Sequence, residues 1–246
     1  MIRTLWFYVV LVVSTVVHGM GVMAAVLLRV KPQPGGGGVY DWGTRGWARD
    51  LLSAAGTPVE VQGLGRIPRD QPVVYASNHS SLFDICALAV TLPGAIRFVA
   101  KRELARIPFF GLAMLAAGHV TIDRFVKTRA FAAYERAART IRSGISVVVF
   151  PEGTRSRTGE LLPFKNAPFG LAIAAQAPLV PVYVHHTFQI LPKGRFRLRP
   201  MPIQVRIGAP IPTAGMSLDD RERLRNLAYA AISELRARVD AVLVPQ

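Results

Sequence analysis

Apolar residues are distributed along this chain in two ways. Between Thr4 and Leu28 no residue is charged, and most positions are Val, Leu, Met, Ala or aromatic. From Pro58 onward, short apolar runs alternate with segments of helical period. The runs predict strands at 59–61, 73–76, 96–100, 120–122, 145–150, 179–184 and 203–207. The run at 145–150 is too continuously apolar for a strand with one wet face, so it reads as buried on both. Helical spacing predicts helices at 82–90, 109–117, 127–141, 167–176 and 218–242. Ser217 is the N-cap of the last, with Asp219, Asp220 and Glu222 at its positive end. Strands separated by helices predict an α/β fold: a mixed, largely parallel sheet flanked by helices, preceded by an N-terminal hydrophobic membrane-anchoring helix or two-helix motif.

The uncharged stretch 4–28 would form about 37 Å of helix, against a hydrocarbon core of about 30 Å. It exceeds the apolar core of a secretory signal, and no small-residue cleavage site follows, so a membrane anchor is expected. Arg29 and Lys31 follow it and Arg3 precedes it. This slight asymmetry favours the C-terminal side facing the cytoplasm. His18, Gly19 and Gly21 near its middle leave two forms open: a straight span, or two half-helices that enter and leave one leaflet. The segment Lys31-Pro32-Gln33-Pro34-Gly35-Gly36-Gly37-Gly38 reads as a linker, and it lacks the Gly-Lys-Ser/Thr ending of a phosphate loop. A helix over 40–55, with Tyr40, Trp42 and Trp47 among its apolar residues, is either interfacial or packed on the core. The chain thus divides into an anchor (1–30), a linker with an interfacial helix (31–57) and a catalytic domain (58–246).

Charge narrows the partners. The chain carries 30 basic and 15 acidic residues, a formal charge of +15. This calls for an anionic partner: nucleic acid, an anionic membrane or a phosphorylated substrate. The apolar N-terminus and the absence of a nucleic-acid reader motif speak against the first. Lys193, Arg195, Arg197 and Arg199 form either a membrane-facing patch or a solvated hairpin. The single cysteine, Cys86, lies in an apolar run and reads as a core residue.

Three stretches carry chemistry, and each follows a predicted strand. In Asn78-His79-Ser80-Ser81-Leu82-Phe83-Asp84, His79 suits a general base and Asp84 the carboxylate that orients it. Five residues of regular helix would set the two about 140° apart, so they meet only if His79 precedes the helix and Asp84 lies in its first turn. Ser81 and Asp84 also fit a simple capping box. The second stretch is Gly118-His119-Val120-Thr121-Ile122-Asp123-Arg124. The third is Phe150-Pro151-Glu152-Gly153-Thr154-Arg155-Ser156-Arg157, followed by Pro163-Phe164-Lys165. Gly153 permits a tight turn, and an arginine fork can hold a phosphate. Glu152 and Arg155 also fit a plain local ion pair. No Gly-x-Ser-x-Gly nucleophile is visible, which disfavours a covalent serine mechanism.

These stretches, with Val180-Pro181-Val182, resemble the four ordered blocks of the glycerolipid acyltransferases, most closely the bacterial lysophosphatidic acid acyltransferase branch. Lys101-Arg102-Glu103-Leu104 and Ile107-Pro108-Phe109-Phe110-Gly111 match that family's stretch between the first two blocks. The resemblance implies transfer of a fatty acyl group from acyl-CoA or acyl-carrier protein to the sn-2 hydroxyl of lysophosphatidic acid, giving phosphatidic acid without an acyl-enzyme. Glycerol 3-phosphate and another lysolipid, such as lyso-ornithine lipid, are the alternative acceptors. It implies His79 and Asp84 as catalytic residues. Arg124, Glu152, Gly153, Thr154, Arg155 and Lys165 would bind the phosphoglycerol, and Pro181 would shape the acyl-donor region. After Lys165 the chain departs from the family pattern, with Asn166-Ala167-Pro168 where a glycine is usual. No metal and no cofactor beyond the acyl donor is expected. A membrane-bound hydrolase or transacylase using the same pair is the neighbouring alternative.

Overall fold

The computed structural model describes residues 1–31, 33, 37–123 and 127–243. Seven strands form one sheet: β1 Val59–Gln62, β2 Val74–Ser77, β3 Ile96–Lys101, β4 Val120–Ile122, β5 Ser146–Val149, β6 Leu179–His185 and β7 Ile203–Ile207. Their spatial order is β1-β7-β6-β2-β5-β3-β4. Neighbours are parallel except β6 and β7. The mixed, largely parallel sheet expected from the alternation of strands and helices is therefore present. The helices are α1 Ile2–Leu27, α2 Gly38–Ala55, α3 Phe83–Thr91, α4 Phe110–Ala116, α5 Lys127–Arg142, α6 Ala167–Ala175, α7 Thr187–Ile190 and α8 Arg221–Leu243. The short α7 has no counterpart in the sequence reading. Ser217 caps the predicted last helix through a capping box with Asp220, although its first turn, Leu218–Asp220, is 3₁₀.

Period-two alternation divides the strands between two cores. Tyr75, Val148, Val180, Val182 and Val184 join Leu51 of α2 and Phe83 and Leu88 of α3 on one face. Val74, Ala76, Val147, Val149, Leu179 and Tyr183 meet α5, α6 and α8 on the other. Because β2, β5 and β6 lie at the centre and are covered on both sides, their residues are almost uniformly apolar.

The N-terminal helices belong to the first of these cores. α1 is one continuous helix, so the pair of half-helices does not form. Its Gly21 serves close packing: a Cβ there would lie 2.6 Å from the Trp42 ring. Ser14 donates to Asp50 at 2.7 Å, and Trp47 Nε1 donates to Thr15 at 3.0 Å, which clasps α1 to α2. At its other end, Phe7 is fully buried against Phe83. α2 is a packed helix rather than an interfacial one. Trp47, Leu51 and Leu52 are buried, while Trp42 keeps an exposed edge. Arg45 of α2 donates to the carbonyls of Ala89, Leu92 and Gly94, satisfying acceptors at the end of α3. Asp41 of α2 is buried and pairs at 2.8 Å with Arg97 of β3, itself 2% exposed.

Removing one partner of such a pair leaves a buried charge without compensation, which costs about 3–5 kcal/mol. Asp41→Ala is expected to lower unfolding stability by about 3 kcal/mol, measured by chemical denaturation. A loss under about 1 kcal/mol would show that the pair does not tie α2 to the sheet.

Candidate active site

The site forms where β2 ends, at the carboxyl edge of the three central strands. Asn78 continues the ladder with its side chain: Nδ2 donates to Val184 O at 2.9 Å, and Oδ1 accepts from Val184 N–H at 2.8 Å. The main chain is thereby free to turn away from the sheet. The backbone of His79 is held on both sides. Its N–H donates to Glu152 Oε1 at 2.8 Å, and its carbonyl accepts from Ser156 N–H at 2.8 Å. Its ring stacks on Phe150, with centroids 4.0 Å apart and planes 19° apart.

Asp84 lies in the first turn of α3, and its carboxylate turns back toward His79. Oδ2 accepts from His79 Nδ1 at 2.8 Å, from Ser80 N–H at 2.7 Å and from Ser81 N–H at 2.8 Å. Oδ1 accepts a short hydrogen bond from the Thr187 hydroxyl of α7, which also bonds Ser80 Oγ at 2.9 Å. The carboxylate is wholly buried and each oxygen has a donor. The capping-box reading is half right. Asp84 takes the Ser81 N–H as a box acid would, while the Ser81 hydroxyl accepts from Phe83 N–H at 3.4 Å rather than from Asp84 N–H and donates to Leu191 O at 2.8 Å. With Nδ1–H aimed at Asp84, the lone pair of His79 lies on Nε2, which has no hydrogen-bond partner among the described residues. This is the geometry that a general base with an orienting carboxylate requires.

Glu152 stands behind His79. It is 3% exposed, and its second oxygen accepts from Leu162 N–H at 3.3 Å. Burial pushes its pKa up to about 8; the His79 and Leu162 N–H groups pull it down and the Asp84 charge adds to the rise. Gly153 follows at φ 72°, and a Cβ there would lie 2.9 Å from Lys165 Cε. Lys165 thus crosses directly over the turn. The side chains of Arg155 and Lys165 make no hydrogen bond or ion pair among the described residues. Both follow β5 in the segment whose Glu152 and Ser156 hold the His79 backbone, and cations without a counter-charge suit an anionic ligand. On the α1 side lies an apolar cavity lined by Val22, Trp47, Phe98, Phe110 and Met114. Phe98 stacks on Phe150, which stacks on His79, so the cavity and the base share one aromatic wall. His119 also lines the cavity. Burial and the nearby Arg97 cation push its pKa down to about 3, so its imidazole is neutral. Its Nδ1 accepts from Phe98 N–H at 2.9 Å, which makes it a structural member of the second stretch.

A family model described as Acyltransferase matches residues 58–185. The chain belongs to the acyltransferase family. Among curated relatives, the 1-acyl-sn-glycerol-3-phosphate acyltransferase alpha of Homo sapiens is 39% identical over 185 residues, covering 73% of this chain and 65% of that protein. The 1-acyl-sn-glycerol-3-phosphate acyltransferase of Cocos nucifera is 34% identical over 166 residues, covering 67% and 53%. The chain thus spans less than two thirds of the length of these relatives. The crystal structure of the 1-acyl-sn-glycerophosphate (LPA) acyltransferase PlsC from Thermotoga maritima superposes with a TM-score of 0.78 at 26% identity, covering 96% of this chain and 95% of that one.

Within this acyltransferase fold, His79, Asp84 and Glu152 converge, and Gly153, Arg155 and Lys165 border them. Thr154 is exposed and accepts from Lys193 Nζ at 3.3 Å. Glu152 holds backbone rather than facing solvent. Pro181 occupies β6 on the face covered by α6 and α8, its ring 2.8 Å from where a Cβ on Gly208 would sit. The sheet separates it from the apolar cavity. Arg124 lies outside the described residues. Thr187 was not anticipated: it follows β6, 103 positions from Asp84, and nothing local in the sequence joins them.

The elevated pKa of Glu152 has a consequence for stability. Between the ordinary value of 4.5 and about 8, the folded protein holds a proton that the unfolded chain has lost. Stability therefore falls as pH rises through this window. Urea unfolding of the wild type and Glu152→Gln at several pH values is expected to show the wild type losing stability relative to the variant across it. A constant difference would place the proton elsewhere.

Proposed function

We propose that this protein is a 1-acylglycerol-3-phosphate O-acyltransferase, moving a fatty acyl group from a thioester donor to the sn-2 hydroxyl of lysophosphatidic acid to give phosphatidic acid. The observation that carries this reading is the His79–Asp84 pair with Nε2 left without a partner among the described residues, its backbone held by the segment after β5 that also carries Arg155 and Lys165. The names of the relatives point the same way.

In the proposed reaction His79 Nε2 takes the proton of the acceptor hydroxyl as its oxygen attacks the thioester carbonyl. Asp84 stabilises the imidazolium that forms and fixes the ring through Nδ1. The new C–O bond gives a tetrahedral intermediate. Its collapse breaks the C–S bond, and the departing thiolate takes the proton back from His79. Arg155 and Lys165 hold the acceptor phosphate, with Arg124 and the Gly153–Thr154 turn completing that site. Glu152 positions His79 through its backbone N–H. The apolar cavity beside Phe98 suits an acyl chain. The donor is acyl-CoA or acyl-carrier protein, and no further cofactor takes part.

The membrane reading rests on α1, whose mean hydropathy reaches 2.2 and which is long enough to cross a bilayer. Because α1 is clasped along its length to α2 and the core, we place it in the surface of the membrane rather than across it. Leu5, Trp6, Val13, Val17 and Met20 are exposed, as are Phe109, Leu112 and Leu115 beside the same helix. Together they form the kind of apolar face that inserts among acyl chains. The proposed location is the cytoplasmic face of a cell inner membrane, where the charge of +15 favours anionic lipid.

The deciding assay incubates the purified protein with lysophosphatidic acid and acyl-CoA or acyl-carrier protein and follows phosphatidic acid. Glycerol 3-phosphate and lyso-ornithine lipid serve as competing acceptors. Absence of product from lysophosphatidic acid with both donors would overturn the proposal. His79→Ala is expected to lower kcat by roughly 10²–10⁴-fold with an unchanged circular dichroism spectrum. Arg155→Ala is expected to raise KM for lysophosphatidic acid about tenfold or more with little change in kcat, as for loss of a charged contact made equally in ground and transition states. An effect confined to the acyl donor would contradict that role.

A further inference from the structure

Outside the site just described, the largest concentration of positive charge is in the segment after α7. Lys193-Gly194-Arg195-Phe196-Arg197-Leu198-Arg199 places arginine at every second position. In an extended chain such residues share one face. Leu198 packs toward α1: it is 6% exposed within the first core, and its N–H donates to Thr4 Oγ1 at 3.3 Å. Phe196 is 76% exposed, and its carbonyl accepts from Tyr8 at 3.1 Å. The basic members line a concave pocket instead. Arg195, Arg197, Arg199, Lys193, Arg157 and Phe188 surround a volume of about 900 Å³, and no acidic residue lines it. Pockets of about 300–1,000 Å³ hold whole small molecules. The four guanidinium groups have no hydrogen bond or ion pair among the described residues.

We infer that this pocket seats the nucleotide end of acyl-CoA, its arginines taking the phosphates and the Phe188 side chain offering a stacking surface for the base. The inference rests on the acyl-transfer reading and extends it to the donor. Several clustered cations without counter-charge require a ligand with several anionic groups, and guanidinium forks match phosphate oxygens in pairs. An aromatic ring among arginines adds a surface for a purine. The pocket is also joined to the reacting centre. Lys193 donates to Thr154, two residues from the Glu152 that holds His79, so a donor seated here can lead its thioester toward the base. A flat membrane surface fits less well. Arg157, Arg195, Arg197 and Arg199 line a concave pocket rather than a flat face.

The test uses the full-length protein and the double variant Arg195→Gln/Arg197→Gln. The variant is expected to raise KM for acyl-CoA at least about tenfold, with kcat and KM for lysophosphatidic acid unchanged. The wild type should have a lower KM for acyl-CoA than for its 3′-dephospho analogue, and the variant should lose much of that preference. Adenosine 3′,5′-bisphosphate should bind the wild type by calorimetry, with binding weakened at least about tenfold in the variant and no change in unfolding midpoint. Three results would overturn the inference: an unchanged KM for acyl-CoA in the variant; weakened binding to phosphatidylglycerol-containing vesicles as the variant's only defect; or turnover of acyl-carrier protein but not acyl-CoA by the wild type. The last leaves the acyltransferase reading intact, whereas absence of product with both donors removes that reading itself.

Discussion

The Asp84 carboxylate is fully buried, and much of the surrounding architecture follows from keeping it satisfied. A charge out of water is tolerated when its lone pairs meet donors. Three of those donors come from the turn between β2 and α3, the fourth from Thr187 beyond β6. Strand order brings these segments together, because β6 lies directly beside β2. The interactions that satisfy the charge also fix the imidazole. With Nδ1 committed to Asp84, Nε2 is the nitrogen left for chemistry.

Placing the His79 ring also depends on its backbone. Glu152 and Ser156 grip the two main-chain polar groups of His79 from the loop after β5, while Asn78 pins the preceding residue to β6. His79 is therefore referenced to three adjacent strands at once. Glu152 combines opposing demands: two backbone donors favour its anion, burial favours its neutral form, and burial prevails. A carboxylate held in this way fixes the backbone groups that donate to it.

The remaining cations and apolar residues sort by geometry. Arg45 and Arg97 are spent on the fold, one on the end of α3 and one on Asp41. Arg155, Lys165 and the arginines of 192–199 have no partner among the described residues and border concave surfaces or the candidate site. The apolar surplus lies on α1 and beside α4. Cations without a partner among the described residues and exposed apolar side chains are thus both left at the surface once the fold has used the rest.

The sequence alone determined the order of strands and helices, because buried strands and amphipathic helices have different apolar periods. It also made the His79–Asp84 pair a candidate, since five positions bring the two together only across a strand-to-helix turn. The Ser217 cap was legible for the same local reason. Tertiary structure decided what depends on distant partners. Thr187 acquires its role from a strand adjacency that no local pattern records. Glu152 reads in the sequence as part of an anion-binding loop, yet the fold directs its carboxylate to the His79 and Leu162 N–H groups. Pro181 reads as part of the donor site, yet strand parity turns its ring to the face opposite the apolar cavity. The form of α1 was undecided at the level of composition, because an apolar helix of that length suits several settings. Its contacts with Asp50, Trp47 and Phe83 decided it: a helix that gives hydrogen bonds and packing to a domain along its length lies against that domain.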